Sequence, residues 1–489
     1  MQLRVVQRVV GVLLTLFSIT MLTPVLIGLV YGDQFNALSP FLKAFMATVI
    51  VGLLLFLPVR NHEAELRIRD GFLIVVLFWA VLGIFGGLPF FLYSPLDLSV
   101  ARAIFESMSG LTTTGATLIV GLDLLPKSIL FYRQQMQWLG GMGIIVLAVA
   151  ILPLLGIGGQ QLYKAETPGI NKGKLTPRIA NTAKALWYIY LGLTIACAIA
   201  YWMAGMTFFD AVSHSFSTVA IGGFSTHDAS IGYFDSTRIE MVAVVFMLIS
   251  GVNFALHFTA THRITTKRRI ALRHYWRDEE FRTYIYIAIT LTVITCAYLY
   301  LTHTSEFGKS FRDALFHVVS IGTTTGFTSE EYFNWPGFLP VLLLFASFSG
   351  GCAGSTGGGM KVVRVLLLFK QGQRELLRML HPYANVVVKV GRTTMPSHMI
   401  DVVWGFFASY LAVLSVMLLL LMAAGLDQET AFSAVVACLN NLGPGLGMVA
   451  ANYSSLGEFE LSVLSVAMLF GRLEIFTLLV LFTPAFWRY

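Results

Sequence analysis

Four short stretches hold the chemistry available to this sequence: Thr112-Thr113-Thr114-Gly115, Ala220-Ile221-Gly222-Gly223, Thr323-Thr324-Thr325-Gly326 and Asn440-Asn441-Leu442-Gly443. None combines a nucleophile with a base, and none has metal-ligand spacing. What they supply is oxygen. Four sets of backbone carbonyls around one axis can replace the water shell of a dehydrated monovalent cation. Glycine at the shared last position permits a backbone conformation that other residues reach only with strain.

A second constellation lies further along. Gly350, Gly351, Gly354, Gly357, Gly358 and Gly359, followed by Lys361, interrupt an otherwise apolar segment. Each glycine in a helix interior costs roughly 1 kcal/mol against alanine, so the helix should unwind at 350–361. Unwound backbone at membrane depth must face protein or a water-filled cavity. The Walker spacing is absent, which removes a phosphate-binding reading. Arg472, in Phe470-Gly471-Arg472-Leu473-Glu474, falls ~16 Å into another apolar span at the helical rise. A charge there costs at least ~2.5 kcal/mol and marks a functional site, unless Glu474 or another buried acid simply pairs with it. Beside the glycine loop, Arg472 would repel a cation by roughly 3 kcal/mol at ~6 Å and an effective dielectric near 20. Loop and arginine moving together would gate conduction.

The elements that must position these groups follow from composition. Of 489 residues, 56% are apolar and only 12% charged, about half the charge of a soluble domain. That excludes a soluble enzyme, a nucleic-acid binder and a disordered scaffold. Apolar runs of about 20 residues, enough to cross a bilayer, recur throughout. Two come first, near 9–31 and 44–59. Then one pattern appears four times: a long span, a half-length helix, a glycine turn and a second long span. The first long spans are expected near 71–93, 183–206, 283–301 and 400–424, and the second near 129–155, 239–260, 338–369 and 461–486. The short helices, near 98–111, 208–218, 310–321 and 427–438, cannot span a membrane.

Gapless alignment on Gly115, Gly223, Gly326 and Gly443 supports the repeat. Twelve positions upstream stand Ala103, Ala211, Ala314 and Ala431; six upstream stand Ser109, Ser217, Ser320 and Ala437. Nine upstream are Glu106, His214, His317 and Ala434. Gly140, Gly251, Gly350 and Gly471 follow the turn glycines by 25, 28, 24 and 28 residues. An internal repeat of this kind decides the architecture: an all-α polytopic membrane protein with four pseudo-symmetric repeats around a central pore. The division is 1–70 for the two-helix extension, 71–181, 182–280 and 281–398 for repeats one to three, and 399–489 for repeat four. Each short helix would aim its partial negative C-terminus at the cavity, favouring cations.

These motifs together resemble the TrkH/KtrB/HKT superfamily of potassium transporters, closest to its bacterial TrkH branch. The resemblance covers the whole chain: the two extra N-terminal helices and the turns at 112–117, 221–226, 323–329 and 440–445. It implies potassium uptake through one gated pore per subunit, a homodimer, and regulation by a cytosolic nucleotide-binding ring of the TrkA type. The potassium ion would sit in the filter, with no organic cofactor on this chain. The sixteen turn residues would form the filter, and the glycine loop with Lys361 and Arg472 the gate. Turn four departs from the others in Asn440, Asn441 and Pro444, so fewer well-defined sites and looser discrimination are expected: potassium and rubidium pass well, sodium less well. A symporter coupled to protons or sodium is the alternative; His214, His317 and Glu106 are its only relay candidates. Packing roles suit the two histidines better, and Glu106 is expected to pair with a nearby base. Asp210 and Asp313 suit the starts of their short helices, and Asn253 suits the cavity wall. A membrane enzyme is disfavoured by the absence of HExxH, an acid dyad or a metal-spaced Cys/His cluster.

Lys and Arg concentrate in alternate loops: Lys164, Lys172, Lys174, Arg178 and Lys184 in one, and Arg263, Lys267, Arg268, Arg269, Arg273, Arg277 and Arg282 in another. The positive-inside rule then places these loops and both termini in the cytoplasm of a bacterial inner-membrane protein. Docking of a cytosolic partner or of anionic lipid is a second use for them; for the ring that the resemblance implies, the basic loops at 261–282 and 361–392 are the expected landing sites. Cys197, Cys296, Cys352 and Cys438 lie in apolar stretches and read as packing residues.

Overall fold

The computed structural model describes residues 1–62, 67–146, 179–267, 272–391 and 393–488. Lys164, Lys172, Lys174, Arg178, Arg268, Arg269 and the end of the expected 129–155 span lie outside the described residues. The described residues are predominantly helical, with one small hairpin pairing Lys389–Val390 with Thr393–Thr394. Among the described residues, six helices are long and apolar enough to cross a membrane, or eight if two bent pairs are each one span. The first two are Leu3–Tyr31 and Phe35–Val59. They pack along one another where Gly11 and Gly52 bring their backbones together.

The first long spans of the repeats are Arg69–Leu92, Lys184–Ala204, Glu279–Leu301 and Ser397–Ala423, within a few residues of the expected bounds. Each has an apolar face turned outward, including Ile84, Ile199, Val293 and Leu419, as lipid contact requires. The short helices are Val100–Leu111, Phe208–Ala220, Phe307–Gly322 and Gln428–Leu439. Side chains at three N-termini accept a backbone N–H: Ser99 from Arg102, Thr207 from Asp210 and Asp427 from Thr430. Such caps satisfy donors that have no partner within the helix. The third short helix begins earlier than expected, so Asp313 lies in its second turn, away from the terminal dipole.

The second long spans depart most from expectation. Lys127–Val146 is one helix. The expected span 239–260 is instead Thr237–Ser250 followed by Phe254–Ala260, bent by 91°, and 461–486 is Glu458–Arg472 followed by Phe476–Phe482, bent by 109°. The third is split, as anticipated, into Leu339–Ser349 and Val362–Leu380. The bends follow the shared positions Gly251 and Gly471. Past Gly471, Glu474 and Ile475 take positive φ, which a continuing right-handed helix forbids.

The packing order closes on itself. The short helix of repeat one lies against Glu458–Arg472 of repeat four, that of repeat two against Lys127–Val146, that of repeat three against Thr237–Ser250, and that of repeat four against Leu339–Ser349. Each repeat therefore seats its short helix on the second span of the repeat before it.

A ring of four glycine turns over an intramembrane loop

The four turns share one backbone geometry. The N–H groups of Thr114, Gly222, Thr325 and Leu442 bond the carbonyls of Ser109, Ser217, Ser320 and Ala437 at 2.7–2.9 Å. One residue earlier, Thr113, Ile221, Thr324 and Asn441 bond Gly110, Thr218, Ile321 and Cys438 at 3.0–3.2 Å. This pair of bonds is the Schellman helix ending. The sixth position upstream, small in all four repeats, is the one whose carbonyl receives the returning chain. Thr113, Ile221, Thr324 and Asn441 sit at φ of 54°, 55°, 70° and 53°, and the glycines two residues on at 83°, 77°, 83° and 94°. A β-branched residue such as Ile221 in that region is held by its surroundings at a cost of about 1–3 kcal/mol.

The turns also touch in cyclic order. A Cβ on Gly115 would collide with the Gly222 carbonyl, one on Gly223 with Thr325, one on Gly326 with Leu442, and one on Gly443 would press on Thr114. Turn one meets two, two meets three, three meets four and four meets one. The four segments surround one axis, and only glycine fits where adjacent turns approach.

Each short helix braces the strand leaving its own turn. Glu106 accepts from the Leu118 N–H at 3.0 Å, His214 Nε2 meets Ser225 Oγ at 2.9 Å, and His317 Nε2 accepts from the Ser329 N–H at 3.5 Å. In repeat four, where Ala434 fills the slot, Ser433 Oγ accepts from the Leu446 N–H at 2.9 Å. The two histidines thus pack and brace, each also bonding the carbonyl four residues back. Glu106 has the base expected of it: Arg133, whose Nε lies 2.9 Å away.

Arg133 was not singled out by sequence reasoning, nor was Gln137. Arg133 is 1% exposed, donates to Glu106, Thr117 Oγ1 and the Ser225 carbonyl, and stacks its guanidinium over Phe224. Gln137 donates to the Gly222 carbonyl at 2.6 Å and accepts from the Phe224 N–H at 3.0 Å, fixing turn two from outside. The polar run Arg133-Gln134-Gln135-Met136-Gln137 inside an apolar span was the available signal.

On one side of the ring, the segments after the turns enclose a cavity of about 430 Å³ lined by all four glycines, with Arg133, His227, Glu330 and Asn452 on its walls. The opposite side is covered. Residues 350–361 run beneath the turns, with the Gly358 N–H on Thr324 Oγ1 at 2.8 Å, the Gly359 N–H on the Asn440 carbonyl at 3.0 Å, and Thr356 Oγ1 on the Val219 carbonyl at 3.0 Å. Gly350, Gly354 and Gly359 take positive φ, and Gly357 lies against the Thr323 carbonyl. Gly351 and Cys352 bond the backbone at Val362 and Gly251, and the Gly354 carbonyl accepts from Phe254. The second-span bend at 251–253 thus cradles the loop. Asn253 caps the helix beyond the bend through Ala255 and packs beside Gly354, on the loop side of the ring.

Arg472 fastens the loop from the other side. Its Nη1 donates to the Thr356 carbonyl at 3.1 Å and its Nη2 to the Gly140 carbonyl at 2.9 Å, with Trp79 flanking the guanidinium. It is 5% exposed. Glu474 pairs instead with Arg364, so among the described residues no carboxylate neutralises Arg472. Lys361, at φ 75°, donates to the Gly357 carbonyl. The loop and Arg472 together reach all four repeats. The four cysteines are buried and free.

Comparison with known proteins agrees with this geometry over the full chain. A family model described as TrkH, cation transport protein, matches residues 37–489. The Trk system potassium uptake protein TrkH of Vibrio parahaemolyticus is 59% identical over 491 residues, covering 100% of each chain. Its namesake in Escherichia coli (strain K12) is 54% identical over 490 residues, again covering 100% of each. TrkG of the same strain is 40% identical over 99% of each chain. The crystal structure of the potassium transporter TrkH from Vibrio parahaemolyticus matches with a TM-score of 0.91 at 57% identity, covering 100% of each chain.

Proposed function

The chain belongs to the TrkH family of cation transport proteins, and from that premise we propose that it takes up potassium across a bacterial inner membrane through the axis of its four turns. The closed cyclic contact of those turns carries this reading. The filter consists of Thr112, Thr113, Thr114 and Gly115 with their counterparts 220–223, 323–326 and 440–443. Its oxygens replace the potassium hydration shell. Rubidium follows the same path and sodium passes less well, but discrimination is looser than in a fully symmetric filter because turn four breaks the symmetry.

In this reading, repeats one to four occupy 71–181, 182–280, 281–398 and 399–489 after an N-terminal extension of 1–70. The glycine loop, Lys361 and Arg472 form the gate. Both termini face the cytoplasm, the protein works as a homodimer, and a cytosolic nucleotide-binding ring controls it. The covered side of the filter faces inward, so such a ring acts on the side where the loop lies. Channel-like passage is favoured over coupling, because His214, His317 and Glu106 are committed to bracing. Purified protein in liposomes should carry rubidium inward down a potassium gradient, with a rate independent of an imposed pH gradient. A rate that follows the pH gradient would favour symport, and absence of uptake would remove the reading.

A further inference from the structure

The loop is held under the ring by donating hydrogens to oxygens at the ends of three short helices. Gly358 N–H bonds Thr324 Oγ1, Gly359 N–H bonds the Asn440 carbonyl, and the Thr356 hydroxyl bonds the Val219 carbonyl. Carbonyls at helix C-termini lack intrahelical partners and carry partial negative charge. Lys361 and Arg472, bonded to the Gly357 and Thr356 carbonyls, bring two positive charges to the same place. Nearby, Ser250 Oγ and Ser355 Oγ are buried without a hydrogen-bond partner. The loop thus offers these oxygens what a hydrated alkali cation offers: positive charge ringed by hydrogen-bond donors.

We infer that the closed loop and a hydrated monovalent cation compete for one site beneath the filter, formed by the Val219 and Asn440 carbonyls and Thr324 Oγ1, so that the permeant ion itself shifts the gate toward opening. The inference rests on the reading of the ring as the ion path. A ligand that binds only the open arrangement raises the open-to-closed ratio by the factor 1 + L/Kd, with L its concentration and Kd its dissociation constant from that arrangement. Potassium on the loop side therefore opens the gate it is about to pass, and Thr324 is the contact through which filter and gate sense each other.

Amide hydrogen exchange of the full-length protein in lipid nanodiscs tests this. Peptides covering 350–361 are followed in potassium chloride against choline chloride at equal ionic strength, and rubidium uptake is measured with the same preparation in liposomes. Exchange at Gly358 and Gly359 should accelerate with potassium, about tenfold at ten times its dissociation constant from the open arrangement. Thr324→Val, which removes the acceptor and keeps the shape, should exchange rapidly without potassium and lose most of the dependence. Exchange that is unchanged or slowed by potassium in a preparation that carries rubidium overturns the inference and leaves the ring reading intact. So does a Thr324→Val loop as protected as the parent. A preparation that carries no rubidium removes the ring reading, and the inference with it.

Discussion

Replacing Arg472 separates two contributions that the structure joins. The guanidinium holds the loop through Thr356 and ties it to Gly140, and hydrogen bonds from a charged donor contribute about 1.5–3 kcal/mol each. If Arg472 gates the pore, its charge, with no carboxylate partner among the described residues, would also oppose a cation by roughly 3 kcal/mol at ~6 Å and an effective dielectric near 20. At 1.36 kcal/mol per decade, the electrostatic part alone corresponds to about a hundredfold in rate. Arg472→Gln should therefore raise rubidium influx into liposomes by roughly that factor in the absence of any cytosolic partner. Arg472→Lys keeps the charge but loses the fork that bridges two carbonyls, and should fall between parent and Gln variant. Equal influx for all three proteins, with unchanged thermal stability, would refute the gating role.

Gly326→Ala places a methyl group against the Leu442 carbonyl at a position with φ 83°. Rubidium uptake should fall at least tenfold, or the preference over sodium should collapse, in a competition assay. Arg133→Met strands Glu106 in the interior, and breaking a buried pair costs about 3–5 kcal/mol; thermal unfolding in detergent should drop sharply, with Glu106→Gln added in the same chain recovering part of the loss. His227, in the loop after turn two, is subject to burial that lowers its pKa, but hydrogen bonds and charges from Asp210 and Asp123 outweigh this and hold it raised. A raised value in the folded state contributes stability fully below the unfolded value of about 6.5, and this is lost as pH rises through the folded value. His227→Gln should therefore lower the melting temperature more at about pH 5.5 than at about pH 9; an equal loss at both would contradict the assignment.

The sequence made the turns readable because their geometry limits residue choice locally. The close approach of adjacent turns needs glycine, so Gly115, Gly223, Gly326 and Gly443 recur, and the small Ser109, Ser217, Ser320 and Ala437 recur with them where the chain folds back. The glycine loop was readable for the same reason. The bends after Ser250 and Arg472 were not, since a single glycine costs a continuous helix only about 1 kcal/mol. Which carbonyl Arg472 would seek, and that Glu474 would turn to Arg364, depends on contacts between segments more than a hundred residues apart. Gln137 holds Gly222 across a repeat boundary, and no local pattern connects the two.

Anomalous diffraction from crystals grown in rubidium would locate the permeant ion directly. A rubidium peak should lie on the axis enclosed by Gly115, Gly223, Gly326 and Gly443 and weaken when potassium is added. Density confined to other parts of the protein, with none inside that circle of glycines, would contradict the assignment of the four turns as the filter.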